Sequence, residues 1–185
     1  VELVYLEGGA GVGKSSLIHE LQRIFSNSNS IYLEGKFERF DKDIPYSALS
    51  KAFALFVEIV LNETEENLEY WKNRIQLALG NVGKVVTTIF PALETLIGVQ
   101  ADVPELVGEE AKNRFNLVWT KLLNGIGSDD HPLVLFLDDL QWADHGTIAL
   151  LHYLLRRLRH DRLLILSAYR EVELDRSRPL ADALI

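Results

Sequence analysis

The sequence predicts an α/β fold, a three-layer sandwich about a mainly parallel sheet, on three observations. Residues 133–137 form an unbroken apolar run that reads as a strand buried on both faces, and residues 162–170 read as another. Helical patterns with apolar residues at 3.6-residue spacing lie between the strand candidates. A glycine-rich segment, Gly8-x4-Gly13-Lys14-Ser15, joins a first apolar strand over residues 1–7 to an amphipathic helix over 13–25.

That segment is a complete P-loop in the strand-to-helix context a P-loop needs, so the sandwich is expected to be of the P-loop NTPase kind. Gly8, Gly9, Gly11 and Gly13 leave the chain free to wrap a phosphate with consecutive N–H groups, and Ala10 and Val12 share the same backbone arc. The helix, with Leu17, Ile18, Leu21, Ile24 and Phe25 on one face, brings its positive N-terminal end, with Ser16 in its first turn, to the same point. Lys14 supplies the charge for the β- and γ-phosphates, and the Ser15 hydroxyl is an oxygen ligand suited to Mg²⁺.

A polar turn over 26–30 leads to a second strand over 30–35. The next convincing strand begins only at Leu133, so a helical insertion over about residues 44–127 is expected between the second and third strands. Pro45 starts a helix carrying Ala48, Leu49, Ala52, Phe53, Phe56, Ile59 and Val60 on one face. Leu68, Trp71, Ile75 and Leu79 mark a second helix, stopped by Gly80. A third runs from Val82 towards Ile97, broken or kinked at Pro91. A fourth, 109–125, groups Phe115, Val118, Trp119, Leu122 and Leu123. These aromatics serve either the core or a docking face.

The strand 133–137 ends in Asp138 and Asp139, at the sheet edge where ligands of open α/β sheets bind. Asp138 is expected to hold Mg²⁺ through its water shell, and Asp139 to orient or deprotonate the attacking water. Gln141 and Asp144 follow and could help hold water, or Asp144 could instead be the N-cap of the next helix. That helix closes in Arg156-Arg157-Leu158-Arg159-His160, whose charge suits a helix C-terminus or a partner. Arg114 could reach the site or a neighbour, with placement on the surface favoured. The strand 162–170 ends in Arg170. If it lies between the P-loop strand and the acidic strand, Arg170 faces the γ-phosphate as a sensor or charge stabiliser; otherwise it begins a solvated charged loop. The catalytic candidates are therefore Asp139, Lys14 and Arg170. The metal candidates are Ser15 and Asp138, and residues 8–16 are the nucleotide cradle.

Leu137-Asp138-Asp139-Leu140-Gln141-Trp142-Ala143-Asp144, a Leu-rich helix and then Ser167-Ala168-Tyr169-Arg170 resemble the STAND class of AAA-type ATPase domains. Such domains occur in bacterial LuxR-type activators and beside serine/threonine kinase, GAF and histidine kinase modules. Gly35-Lys36-Phe37 through Asp43-Ile44-Pro45-Tyr46-Ser47-Ala48-Leu49, and Glu110-Ala111-Lys112-Asn113-Arg114-Phe115, look like the hybrid kinase branch. The resemblance implies binding of ATP with Mg²⁺, slow hydrolysis, a switch role in bacterial signal transduction, and partners among neighbouring domains of one polypeptide, with nucleotide-dependent self-association open. It also places lid, winged-helix and effector modules outside this chain.

Composition agrees. At 185 residues and 48% hydrophobic, the chain can bury one substantial core, so residues 1–185 are expected to form a single ATPase core. A net charge of −8 has the wrong sign for tracking a nucleic-acid backbone. With no cysteine there is no disulfide framework, and neither a signal peptide nor a long apolar run marks a membrane segment, so a cytoplasmic setting is the default. The chain has no methionine and opens in a strand, which suggests a piece of a longer polypeptide. Two functional classes stand: a hydrolase whose turnover resets a switch, and a nucleotide-binding assembly module that rarely hydrolyses. A small-molecule P-loop kinase is a weaker third, lacking a lid arginine cluster.

Overall fold

The structure is a computed structural model that describes residues 2–9, 11–40, 44–157 and 162–170, without the side chains of Ser15 and Ser26. Its strands are β1 (Glu2–Glu7), β2 (Ile31–Lys36), β3 (Leu133–Asp138) and β4 (Leu163–Tyr169). They form one sheet of order β1-β4-β3-β2 with every pairing parallel, so all four carboxyl ends meet along one edge. The expected order, with the Arg170 strand between the P-loop strand and the acidic strand, is the order observed.

Period-two alternation divides the sheet between its two covers. Val134, Phe136, Leu166 and Ala168 face helix α1 (Lys14–Ser26), which contributes Ile18. Leu133, Leu135, Leu137, Leu163 and Ile165 face the opposite way, into a larger core. That core is built by α2 (Ser47–Leu61), α3 (Glu65–Leu79), α4 (Gly83–Ile89), α5 (Ala92–Ile97), α6 (Gly108–Ile126) and α7 (His145–Arg157). Helix, sheet and helix give the three layers.

Five of these helices, α2 to α6, lie between β2 and β3 in the chain. The third expected helix is two: α4 ends at Ile89 and α5 begins at Ala92, with Pro91 as its N-cap residue. Proline lacks the N–H a continuous helix would need there, but suits a helix start. Aromatic packing holds the layer together, with ring centroids at 5.4 Å for Phe53–Trp119, 5.4 Å for Phe53–Phe90 and 5.1 Å for Phe90–Trp119. Of the aromatics left open above, Phe53, Phe56 and Trp119 are core. Arg74 of α3 donates to the carbonyls of Gly125 and Gly127, satisfying acceptors that the end of α6 leaves open. At Gly35 a Cβ would come within 2.4 Å of the Ala48 carbonyl oxygen, so glycine there lets α2 lie directly on β2. Among the described residues, no helix is long and apolar enough to cross a membrane.

Candidate functional site

The link from β1 to α1 passes through Gly13, the α1 N-cap, at φ 96°, a left-handed conformation that favours glycine. No side chain caps this helix, so its first N–H groups stay free to meet an anion. An ideal Cβ at Gly9, Gly11 or Gly13 would meet nothing within 4 Å, so the arc opens onto free space, whereas one at Gly8 would lie 2.7 Å from Val12 Cγ2. Lys14 folds back over the loop: its Nζ donates to the carbonyls of Gly8 at 2.5 Å and Gly9 at 2.9 Å. Ala10 and the Ser15 side chain lie outside what the structure describes.

At the ends of β2, β3 and β4 the charged groups converge. Lys36 is paired in register with Asp138, and its Nζ lies 3.2 Å from both Asp138 Oδ2 and Asp139 Oδ2. These contacts, that to Asp139 foremost, hold the Lys36 ammonium above its ordinary pKa against the opposing effect of burial. Asp139 leaves β3 at φ 54°, a left-handed conformation that Asp tolerates better than most residues, and its N–H donates to Asp138 Oδ1 at 2.9 Å. Arg170 Nε approaches Asp139 Oδ1 at 3.6 Å. Gln141, only 1% exposed, donates from Nε2 to Asp139 Oδ1 at 3.1 Å and accepts from the Arg170 N–H at 3.2 Å. On the β1 side, the Tyr169 hydroxyl donates to Glu7 at 2.8 Å.

This arrangement suits a nucleoside triphosphate with a divalent cation. The loop offers an uncapped helix start and a lysine, and Asp138 is a hard oxygen donor of the kind Mg²⁺ selects. Among the described residues no group of three or more metal-ligating side chains exists. Mg²⁺ at phosphate sites usually takes one or two protein ligands and keeps water and phosphate oxygens for the rest, for which Asp138 and the Ser15 hydroxyl would be the protein donors.

The chain matches the AAA ATPase domain family over residues 1–166. It belongs to that family. A relative, the hybrid signal transduction histidine kinase G of Dictyostelium discoideum, is 36% identical to this AAA ATPase domain over 154 residues, which cover 83% of this chain and 4% of that protein.

Within the domain, the sequence assigns Lys36 no role and leaves Asp144 and Arg114 with alternatives. Lys36 appears in the sequence only as part of a family-like string, yet it bridges both acids. Its signal was positional: a cation at the carboxyl end of a strand whose parallel neighbour ends in acids. Asp144 resolves as a cap, its Oδ1 accepting from the Thr147 N–H at 2.9 Å and its Oδ2 from the Tyr46 N–H at 3.0 Å. Arg114 is spent on the Pro104 carbonyl at 2.5 Å. Residues 158–160 of the basic helix end lie outside the described residues.

Proposed function

We propose that this domain binds Mg-ATP and hydrolyses it slowly, as a nucleotide-dependent switch in a signal-transduction protein. The observation that carries the reading is the meeting, at one sheet edge, of the glycine arc and Lys14 after β1, the acids after β3 and Arg170 after β4. In this reading the arc, residues 8–16, holds the β- and γ-phosphates, and Lys14 exchanges its two carbonyl partners for phosphate oxygens. Bound at Asp138 and Ser15, Mg²⁺ would neutralise developing phosphate charge. Asp139 takes a proton from water as its oxygen attacks the γ-phosphorus and the bond to ADP breaks, and Arg170 offsets charge on the γ-phosphate. The signalling context rests on the kinase relative, whose name describes that protein.

One observation supports a second reading, a nucleotide-binding assembly module that rarely turns over. Asp139 lies in ion pairs with both Lys36 and Arg170, one at each carboxylate oxygen, so both oxygens are engaged by cations rather than turned to water.

Two neighbouring substitutions separate the readings. Asp138→Asn is expected to weaken Mg²⁺-dependent nucleotide affinity. Asp139→Asn is expected to leave affinity nearly intact and to lower turnover by about 100-fold or more, the usual scale of a lost general base. Calorimetric titration and single-turnover hydrolysis measure the two. Parent-rate hydrolysis by Asp139→Asn would falsify the catalytic role and favour the assembly module.

A further inference from the structure

We propose that Gln141 is the positioning residue of this site, the side chain that fixes which Asp139 oxygen faces water by tying that carboxylate to the end of β4. The proposal rests on the hydrolytic reading above. Its orientation follows from chemistry: the Arg170 N–H can only donate, so Gln141 Oε1 faces Arg170 and Nε2 faces Asp139 Oδ1. The β3–β4 register ends at Leu137↔Ser167. Beyond that pair the Gln141 amide bridges the strand ends where the backbone ladder has stopped.

Burial distinguishes Gln141 from the other groups on Asp139. The side chains of Lys36 and Arg170 are 55% and 39% exposed, and both are long enough to reach towards phosphate oxygens when nucleotide arrives. Gln141, at 1% exposure and inside the turn Leu140–Trp142, has nowhere to swing. A carboxylate whose partners all move away rotates about its terminal bond; a buried donor that stays on Oδ1 restricts that rotation and leaves Oδ2 as the oxygen for water once Lys36 departs. Gln141 is thus the partner that persists when both cations turn to the ligand.

Gln141→Met keeps length and volume and removes the hydrogen bonds to Asp139 and Arg170; Gln141→Glu keeps the acceptor for Arg170 and removes the donor to Asp139. Both are expected to lower kcat by about 10- to 100-fold, the effect of misaligning a reacting group. The Kd for Mg-ATP should stay within about threefold of the parent, because neither bond touches nucleotide. Parent-like kcat in both variants, or affinity lost in step with kcat, would overturn the proposal. Asp139→Asn, run in parallel, separates the two readings. If it alone loses turnover, Gln141 has no positioning role and the hydrolytic reading stands; if it turns over at the parent rate, that reading falls and this proposal with it. A third arm is independent of turnover: in Gln141→Glu with Asp139→Asn, donor and acceptor are exchanged and total charge is conserved. The double variant is expected to recover urea-denaturation stability lost by the singles, and additive losses would show that the bond is not made.

Discussion

The two covers of the sheet differ in kind. On the α1 side β1 exposes Val4 at 41%, Val12 of the phosphate loop is 65% exposed, and Leu17 and Ile24 of α1 are 48% and 53% exposed. Ile18 is the fully buried apolar residue α1 adds. On the other side Phe53, Leu93, Leu122 and Ile126 are at 0% and Trp119 at 2%. Because burial of apolar area dominates folding free energy, the second cover carries the stability, while the first keeps backbone N–H groups and a lysine open to a ligand. Holding the fold and holding the nucleotide are therefore separable by mutation.

The largest expected effect lies in the helical layer. Trp119→Ala removes the ring packed against Phe53 and Phe90 and should cost about 3–5 kcal/mol in urea denaturation, the range for truncating a buried aromatic. The fraction that stays folded should bind Mg-ATP as the parent does. A cost below about 1 kcal/mol would break the comparison, since the densest packing would then carry little.

Lys14→Ala tests the opposite side. Its partners in the structure are two carbonyls of its own loop, so removing it should shift the denaturation midpoint little. Mg-ATP affinity should fall by about 2–4 kcal/mol, the scale of a charge-assisted contact to a sheltered anion, as read by calorimetric titration. Unchanged affinity would remove the phosphate loop from the binding side of the comparison.

What the sequence discloses follows the same division. Helices and strands of the buried cover are legible because their apolar periodicity is strong: Phe53, Trp119 and the run 133–137 each point to the face they occupy. Strand order is expected from the fold class, with the Arg170 strand between β1 and β3, and that is the order found. The loop is legible as a motif. Side-chain pairing across the sheet edge is not. Nothing local to Gly35-Lys36-Phe37 tells Lys36 that two carboxylates lie beside it, because the pairing Lys36↔Asp138 joins residues 102 apart in the chain. The left-handed backbones of Tyr46 and Asp139 are hidden for a similar reason: neither is glycine, and tertiary contacts hold both.

Asp144 stands at the seam between the two sides, five residues beyond Asp139 in the chain, where the sequence alone leaves a water-holding role and a helix cap equally open. In the fold its carboxylate accepts from the Thr147 N–H, the Thr147 hydroxyl and the Tyr46 N–H. One side chain thus caps α7 and fixes the entry to α2, whose N-cap Tyr46 sits at φ 60° with its ring 5.0 Å from that of Phe115. These three partners are all structural, so Asp144→Ala should behave as a lost cap, costing about 1–2 kcal/mol of stability. Mg-ATP affinity and turnover should match the parent, despite the neighbouring acids. Asp144→Asn should cost less, because the amide oxygen can still accept from the Thr147 N–H and the Thr147 hydroxyl can turn to accept from the NH₂, leaving the Tyr46 N–H as the donor that loses its acceptor. Denaturation and single-turnover hydrolysis on the two variants decide the point. Lost turnover at unchanged stability would move Asp144 to the ligand side and shift the seam towards α7.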